Sequence, residues 1–155
     1  AFCAIVNGGT LYQPYITKAI LHPTTKDPIV EVKPNAVRQV ISEDTSFKMR
    51  YALESVVALG GAKGAYIDGY KIGGKTATSE KLPRSLKKYI SSFIGFAPAD
   101  DPRVIALITI DEPQGVYYGG TIAAPVIADL FKNILPYLGI PEAVEETVWS
   151  MGISS

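Results

Sequence analysis

Apolar and polar positions follow two rhythms along this chain. Residues 10–21 alternate, with Tyr15, Thr17 and Ala19 opposing Ile16, Lys18 and Ile20. The alternation resumes over 29–33 after a turn at His22–Pro28, which predicts a β-hairpin. Before it, the apolar run 1–7 reads as the end of a helix stopped by Gly8-Gly9. Ser42 then opens a helix over 43–59, with Glu43 and Asp44 near the positive end of its dipole. Phe47, Leu53, Val56 and Val57 recur there at helical spacing, and Gly60-Gly61 ends it. Gly64–Gly69 is a loop. Three strands follow, at 70–78, 91–97 and 103–111, the last two joined by the turn Pro98-Ala99-Asp100-Asp101-Pro102. The run Val104–Ile108 is apolar on both faces, as expected of a central strand covered on both sides. Ile122, Val126, Ile127, Leu130, Phe131, Ile134, Leu135 and Leu138 define a final helix over 121–138, with Pro125 tolerated in its first turn. Gly139 ends it. The expected class is α+β: an antiparallel sheet of at least three strands with this helix packed across it. Residues 1–140 form the folded part, followed by an acidic tail at 141–155.

Charge narrows the function. Lys+Arg and Asp+Glu balance at 15 each, unlike the basic excess usual in nucleic-acid-binding proteins. No apolar run approaches the roughly 18 residues of a membrane span, and no signal peptide is visible. Ala1 stands inside an apolar run without an initiator Met, so the chain is expected to be part of a longer protein. Cys3 and His22 are the only residues of their kinds. They give no metal cluster and no internal disulfide, and Cys3 is expected to be a small buried apolar residue. No cofactor is implied.

The chemistry concentrates in Gly74-Lys75-Thr76-Ala77-Thr78, at the end of a strand entering the basic loop 79–88. An edge strand offers free N–H and C=O groups to which an extended peptide can add. A cation beside a hydroxyl suits a carboxylate-ended ligand. One fixed N–H aimed at a developing oxyanion is worth ~3–4 kcal/mol. The loop, with Lys81, Arg84, Lys87 and Lys88, reads as a solvated connection; its other reading is a field attracting an anionic substrate or partner. Tyr117-Tyr118-Gly119-Gly120 reads as a turn with packed aromatics.

The Gly-Lys-Thr-Ala-Thr run approximates the Lys-Thr-Gly signature of penicillin-binding proteins and serine β-lactamases. Its surroundings add to the match: Asn7-Gly8-Gly9-Thr10 with Pro14, Val40-Ile41-Ser42, Gly69-Tyr70, Ser92 to Pro98, Tyr118-Gly119-Gly120 and Ala123-Ala124-Pro125. In this order, over about residues 1–140, the chain resembles the C-terminal part of the transpeptidase domain of class B, monofunctional, penicillin-binding proteins. The resemblance implies a membrane-anchored parent, with its working site outside the bacterial cytoplasmic membrane. Such a parent would cross-link peptidoglycan stem peptides ending in D-Ala-D-Ala through an acyl-serine, bind β-lactams, and work beside a glycosyltransferase partner. It also implies residue roles. Lys75 would supply positive charge and proton traffic, Thr76 would bind the terminal carboxylate, and the Thr78 N–H would donate to the oxyanion. Gly74 and Ala77 would line the same stretch of substrate strand.

Two departures matter. Ala77 stands where the family has Gly, on the same side of the strand as Lys75. The family's Ser-x-x-Lys and Ser-x-Asn lie upstream of the Lys-Thr-Gly strand, and this chain has no Ser-x-Asn. Its one Ser-x-x-Lys, at Ser85–Lys88, follows the strand in a loop after Pro83, where no buried helix would let the lysine activate the serine. The nucleophile is therefore expected in the missing N-terminal part of the domain, and the isolated chain is expected to be inactive. The rival readings are a serine β-lactamase or D-Ala carboxypeptidase relative, and a degenerate, non-catalytic binding module.

Overall fold

The computed structural model describes residues 1–143. Most of the tail expected at 141–155 lies outside the described residues. The chain divides into two units, one over Ala1–Met49 and one from Arg50 onward.

In the first unit, helix α1 (Phe2–Val6) leads into four short strands: β1 (Thr10–Tyr12), β2 (Ala19–Leu21), β3 (Pro28–Glu31) and β4 (Ala36–Gln39). β2 and β3 pair antiparallel across the expected turn, and β1 pairs with β4. The single expected hairpin is therefore two nested pairs. Pro14 lies in the gap between β1 and β2, and β4 is a four-residue, wholly exposed strand whose composition gave no signal. His22 serves this turn, its Nδ1 accepting from the N–H of Thr24 and Thr25. Cys3 is exposed rather than buried; Ala4 and Val6 take the buried positions of α1.

Helix α2 (Glu43–Ala58) starts where expected. Ser42 Oγ accepts the Thr45 N–H at 3.1 Å, which satisfies one of the free donors of the first turn. Phe47 is exposed, and Ser46 is the buried residue of that turn. Its hydroxyl donates to Ile5 O at 2.6 Å and accepts from the Gly8 N–H at 3.1 Å, so burial leaves no polar atom unpaired.

The second unit holds the site. Strands β5 (Gly73–Glu80), β6 (Tyr89–Ala97) and β7 (Val104–Asp111) form an antiparallel sheet in the order β5-β6-β7. The expected start of β5 at Tyr70 moves to Gly73; before it, Tyr70 makes only an isolated bridge with Ile67. β6, not β7, is the central strand. Every second residue of β7 from Leu107 is exposed, Leu107 itself at 61%. The run is apolar on both faces, yet among the described residues only the face of Val104, Ala106, Ile108 and Ile110 packs on the core.

The final helix comes as two pieces, α3 (Gly119–Ile122) and α4 (Ala124–Tyr137), with Pro125 in the first turn of α4. Ile127, Phe131 and Leu135 of α4 are fully buried in one cluster with Phe93 of β6 and Val57 of α2. Gly95 shares that sheet face: a Cβ there would stand 2.9 Å from Ile127.

Candidate functional site

The sheet register decides what β5 presents. Its residues pair one-for-one with β6, from Gly73 opposite Phe96 to Glu80 opposite Tyr89. The Lys81 N–H continues the ladder by donating to Lys88 O at 2.7 Å. Bonded and non-bonded pairs alternate in an antiparallel ladder. Lys75, Ala77 and Ser79 therefore bond β6, while Gly74, Thr76 and Thr78 turn their N–H and C=O to the outer edge. The N–H assigned to oxyanion chemistry, that of Thr78, is one of these. Nothing in the local sequence set that alternation.

Side chains divide by the same parity. Thr76 lies opposite Phe93, and Thr78 opposite Ser91, on the face carrying α3 and α4. Lys75 and Ala77 point to the other face and are exposed, which places Ala77 on the Lys75 side as expected. The Lys75 ammonium bends back over the edge. Its Nζ donates to Thr76 O at 2.9 Å and lies 3.3 Å from Thr76 Oγ1. A cation, a hydroxyl and an outward N–H thus meet along three residues of one strand edge.

Gly74 is buried. A Cβ there would stand 2.4 Å from the Phe93 ring and 2.6 Å from Ile94 O. The neighbouring Gly73 is closed in the same way by Phe96, at 2.3 Å. Both glycines let the strand pass over an aromatic ring; this is a packing reason for glycine here.

A feature the sequence reading missed closes the site from behind. The turn before α3 runs under the end of β5, and the Gly119 N–H donates to Thr78 Oγ1 at 3.3 Å. The fully buried Ser91 donates its hydroxyl to Tyr117 O. Tyr117 stacks on Tyr89 with ring centres 4.0 Å apart and planes within 7°, as expected of packed aromatics. Tyr118 lies against Tyr117 at 4.7 Å, and a hydrogen bond made by the Tyr118 hydroxyl to Tyr117 raises its phenol above the ordinary value. The sequence marked Tyr117-Tyr118-Gly119-Gly120 as a turn with packed aromatics, but nothing local tied Gly119 to Thr78, 41 residues away.

The basic loop is largely neutralised. Lys81 Nζ binds Asp111 at 2.9 Å and Glu112 at 2.8 Å, Lys88 Nζ binds Glu112 at 2.7 Å, and Arg84 pairs with Glu80 at 3.5 Å. The hydrogen bonds from Lys81 and then Lys88 hold the Glu112 carboxyl below the usual carboxylate range; those that Lys81 donates to Glu112 and then Asp111 raise Lys81. Ser85 sits in an exposed 3₁₀ turn, Arg84–Leu86. It has no buried helix around it, in line with its reading as a chance match.

A cavity of about 340 Å³ opens elsewhere, between Gly69–Lys71, Pro98, Asp100, Arg103 and residues 138–143; its walls include none of Gly74–Thr78. At its rim Lys71 binds Asp100 at 3.0 Å. Burial pushes Asp100 upward, but Lys71 outweighs it and leaves the carboxyl below its ordinary value, while burial raises nearby Glu54. This is an ion-paired surface cleft, and the strand edge is the better site by its chemistry.

Comparison with known proteins gives the family of the chain. Residues 1–132 match the penicillin binding protein transpeptidase domain. The chain belongs to this family. It is 48% identical over 144 residues to stage V sporulation protein D of Bacillus subtilis, an alignment covering 90% of this chain and 22% of that protein. It is 42% identical over 109 residues to a probable peptidoglycan D,D-transpeptidase, PenA, of Neisseria flavescens, covering 66% of this chain and 27% of that protein. Among solved structures, the D,D-transpeptidase domain of a peptidoglycan glycosyltransferase from Eggerthella lenta superposes with a TM-score of 0.73 at 31% identity. That match covers 88% of this chain and 30% of the other. The chain thus spans about a quarter of the length of these transpeptidase-family relatives.

Proposed function

We propose that this chain is the strand wall of a peptidoglycan D,D-transpeptidase site, completed by a serine supplied upstream in the same protein. The observation that carries the reading is the outer edge of β5. There the Lys75 ammonium, the Thr76 hydroxyl and the outward N–H groups of Thr76 and Thr78 lie together. A stem peptide ending in D-Ala-D-Ala would add to this edge as a further antiparallel strand. Its terminal carboxylate would meet Lys75 and Thr76. Its penultimate carbonyl would meet the Thr78 N–H, one donor of an oxyanion hole. The serine would attack that carbonyl, form the acyl-enzyme and release the terminal D-Ala; an amine of a neighbouring strand would then take the acyl group. β-Lactams would acylate the same serine. The parent would be anchored in the bacterial cytoplasmic membrane with this domain on its outer side, acting beside a glycosyltransferase. The relatives named as a sporulation protein and a peptidoglycan D,D-transpeptidase support the transpeptidase reading.

Intact mass after incubation with a penicillin tests the reading. The isolated chain is expected to keep its mass, and the parent to gain one adduct mapping upstream of Ala1. A stoichiometric adduct on the isolated chain, mapping to Ser85, would overturn it. Fast release of the parent's adduct would favour a β-lactamase-like hydrolase instead.

A further inference from the structure

Thr78 and Ser91 are direct cross-strand partners in the β5–β6 register. Both turn their side chains to the same face, and both grip the same short turn. Ser91 donates to Tyr117 O, and Thr78 accepts from the Gly119 N–H at 3.3 Å. A third contact holds the turn: the Tyr117 ring is stacked on Tyr89, which stands at the start of β6. Nor is there space to spare. A Cβ on Gly119 would stand 2.3 Å from Ser92 O and 2.7 Å from Ala77 O, and one on Gly120 would stand 2.4 Å from Gly61 O. Gly119 is buried.

From this geometry we propose that the 117–119 turn is the positioning element for Thr78, with Ser91 as the residue that holds the turn. The inference rests on the transpeptidase reading above. An edge strand has a ladder on one side only, so its outer N–H groups are aimed by whatever restrains the strand from other directions. Here the restraint is the Gly119 amide on the Thr78 hydroxyl. Ser91 acts through the turn and does not touch the ligand; it is a positioning residue. The turn thereby directs the Thr78 N–H at the carbonyl oxygen of the acyl donor, where charge develops in the transition state. Positioning of this kind falls on the acylation step more than on the initial binding of the donor.

The test uses the intact parent protein and a fluorescent penicillin, following both initial binding and the rate of acylation. Gly119→Ala is the severe variant, since its methyl meets two carbonyl oxygens. Ser91→Ala is the mild one, and Thr78→Val removes the acceptor while keeping the backbone N–H. Losing one such hydrogen bond is expected to slow acylation roughly threefold to tenfold in Ser91→Ala, with initial binding little changed. The Ser91→Ala/Thr78→Val double variant should be no slower than the slower single variant, because both break one chain of contacts. Losses that multiply, or Ser91→Ala acylating at the parent's rate, would overturn the inference alone. A parent that forms no acyl adduct would overturn the transpeptidase reading, and the inference with it.

Discussion

Ala77 carries one methyl more than the glycine that stands at this position in the family's pattern. The side chain is exposed and shares a strand face with Lys75, so whatever packs on that face meets it. If that methyl strains the completed site by about 1 kcal/mol, as modest overpacking does, the cost is about fivefold in rate. Ala77→Gly in the parent is therefore expected to acylate with β-lactams about five times faster. Equal rates for the two proteins would remove Ala77 from the account. Lys75, Thr76, Ala77 and Thr78 were legible in the sequence because their chemistry lies in one contiguous run. Ser91 and Gly119 were not, since they reach Thr78 only after a strand pairing and a helix docking bring them there.

Among the elements, the β5–β6 connection changes its reading most. Four basic residues look like an attractive field, yet Glu112 joins Lys81 and Lys88 across the base of the loop. The acids that hold Lys81 and Lys88 come from the end of β7, 24 to 31 residues along the chain, so no local window shows their neutralisation. Glu112 has its pKa lowered in the folded state. Its contribution is thus complete above the unfolded value of about 4.3 and is lost as pH falls through the lowered folded value. Lys81 has its pKa raised, so its contribution is complete below about 10.4 and is lost as pH rises through the raised value. In an NMR titration, the Glu112 carboxyl should show a midpoint below the usual range, and amide signals of residues 81–88 should move with it. In Glu112→Gln the loop signals should lose that acid transition. A midpoint at the ordinary glutamate value would mean that the clamp does not form in solution.

For the molecule as a whole, the exposed apolar surface sets the expectation. Among the described residues β7 pairs only with β6, and by the alternation of its ladder Ile105, Leu107 and Thr109 turn their backbone groups outward. Leu107 also stands exposed on the face away from α4. An unpaired strand edge with apolar side chains is prone to pair with another copy. The isolated chain is therefore expected to self-associate in sedimentation velocity as concentration rises, and Leu107→Lys to reduce this. A monomer at all concentrations with one cooperative melting transition would contradict it. The sequence by itself determined helix α2, the three strands of the second unit and a final helix to within a few residues, and the run that carries the chemistry, because helical and strand periodicity and a contiguous motif are local properties of the chain. Only the tertiary structure decided that β6 is central, that the N–H groups of Thr76 and Thr78 face the open edge, that the loop's charge is offset, and that Gly119 braces Thr78. Each of these depends on strand register or on contacts between residues 24 to 41 positions apart, and such pairing is set by the packing of the whole sheet, which no local stretch of sequence encodes.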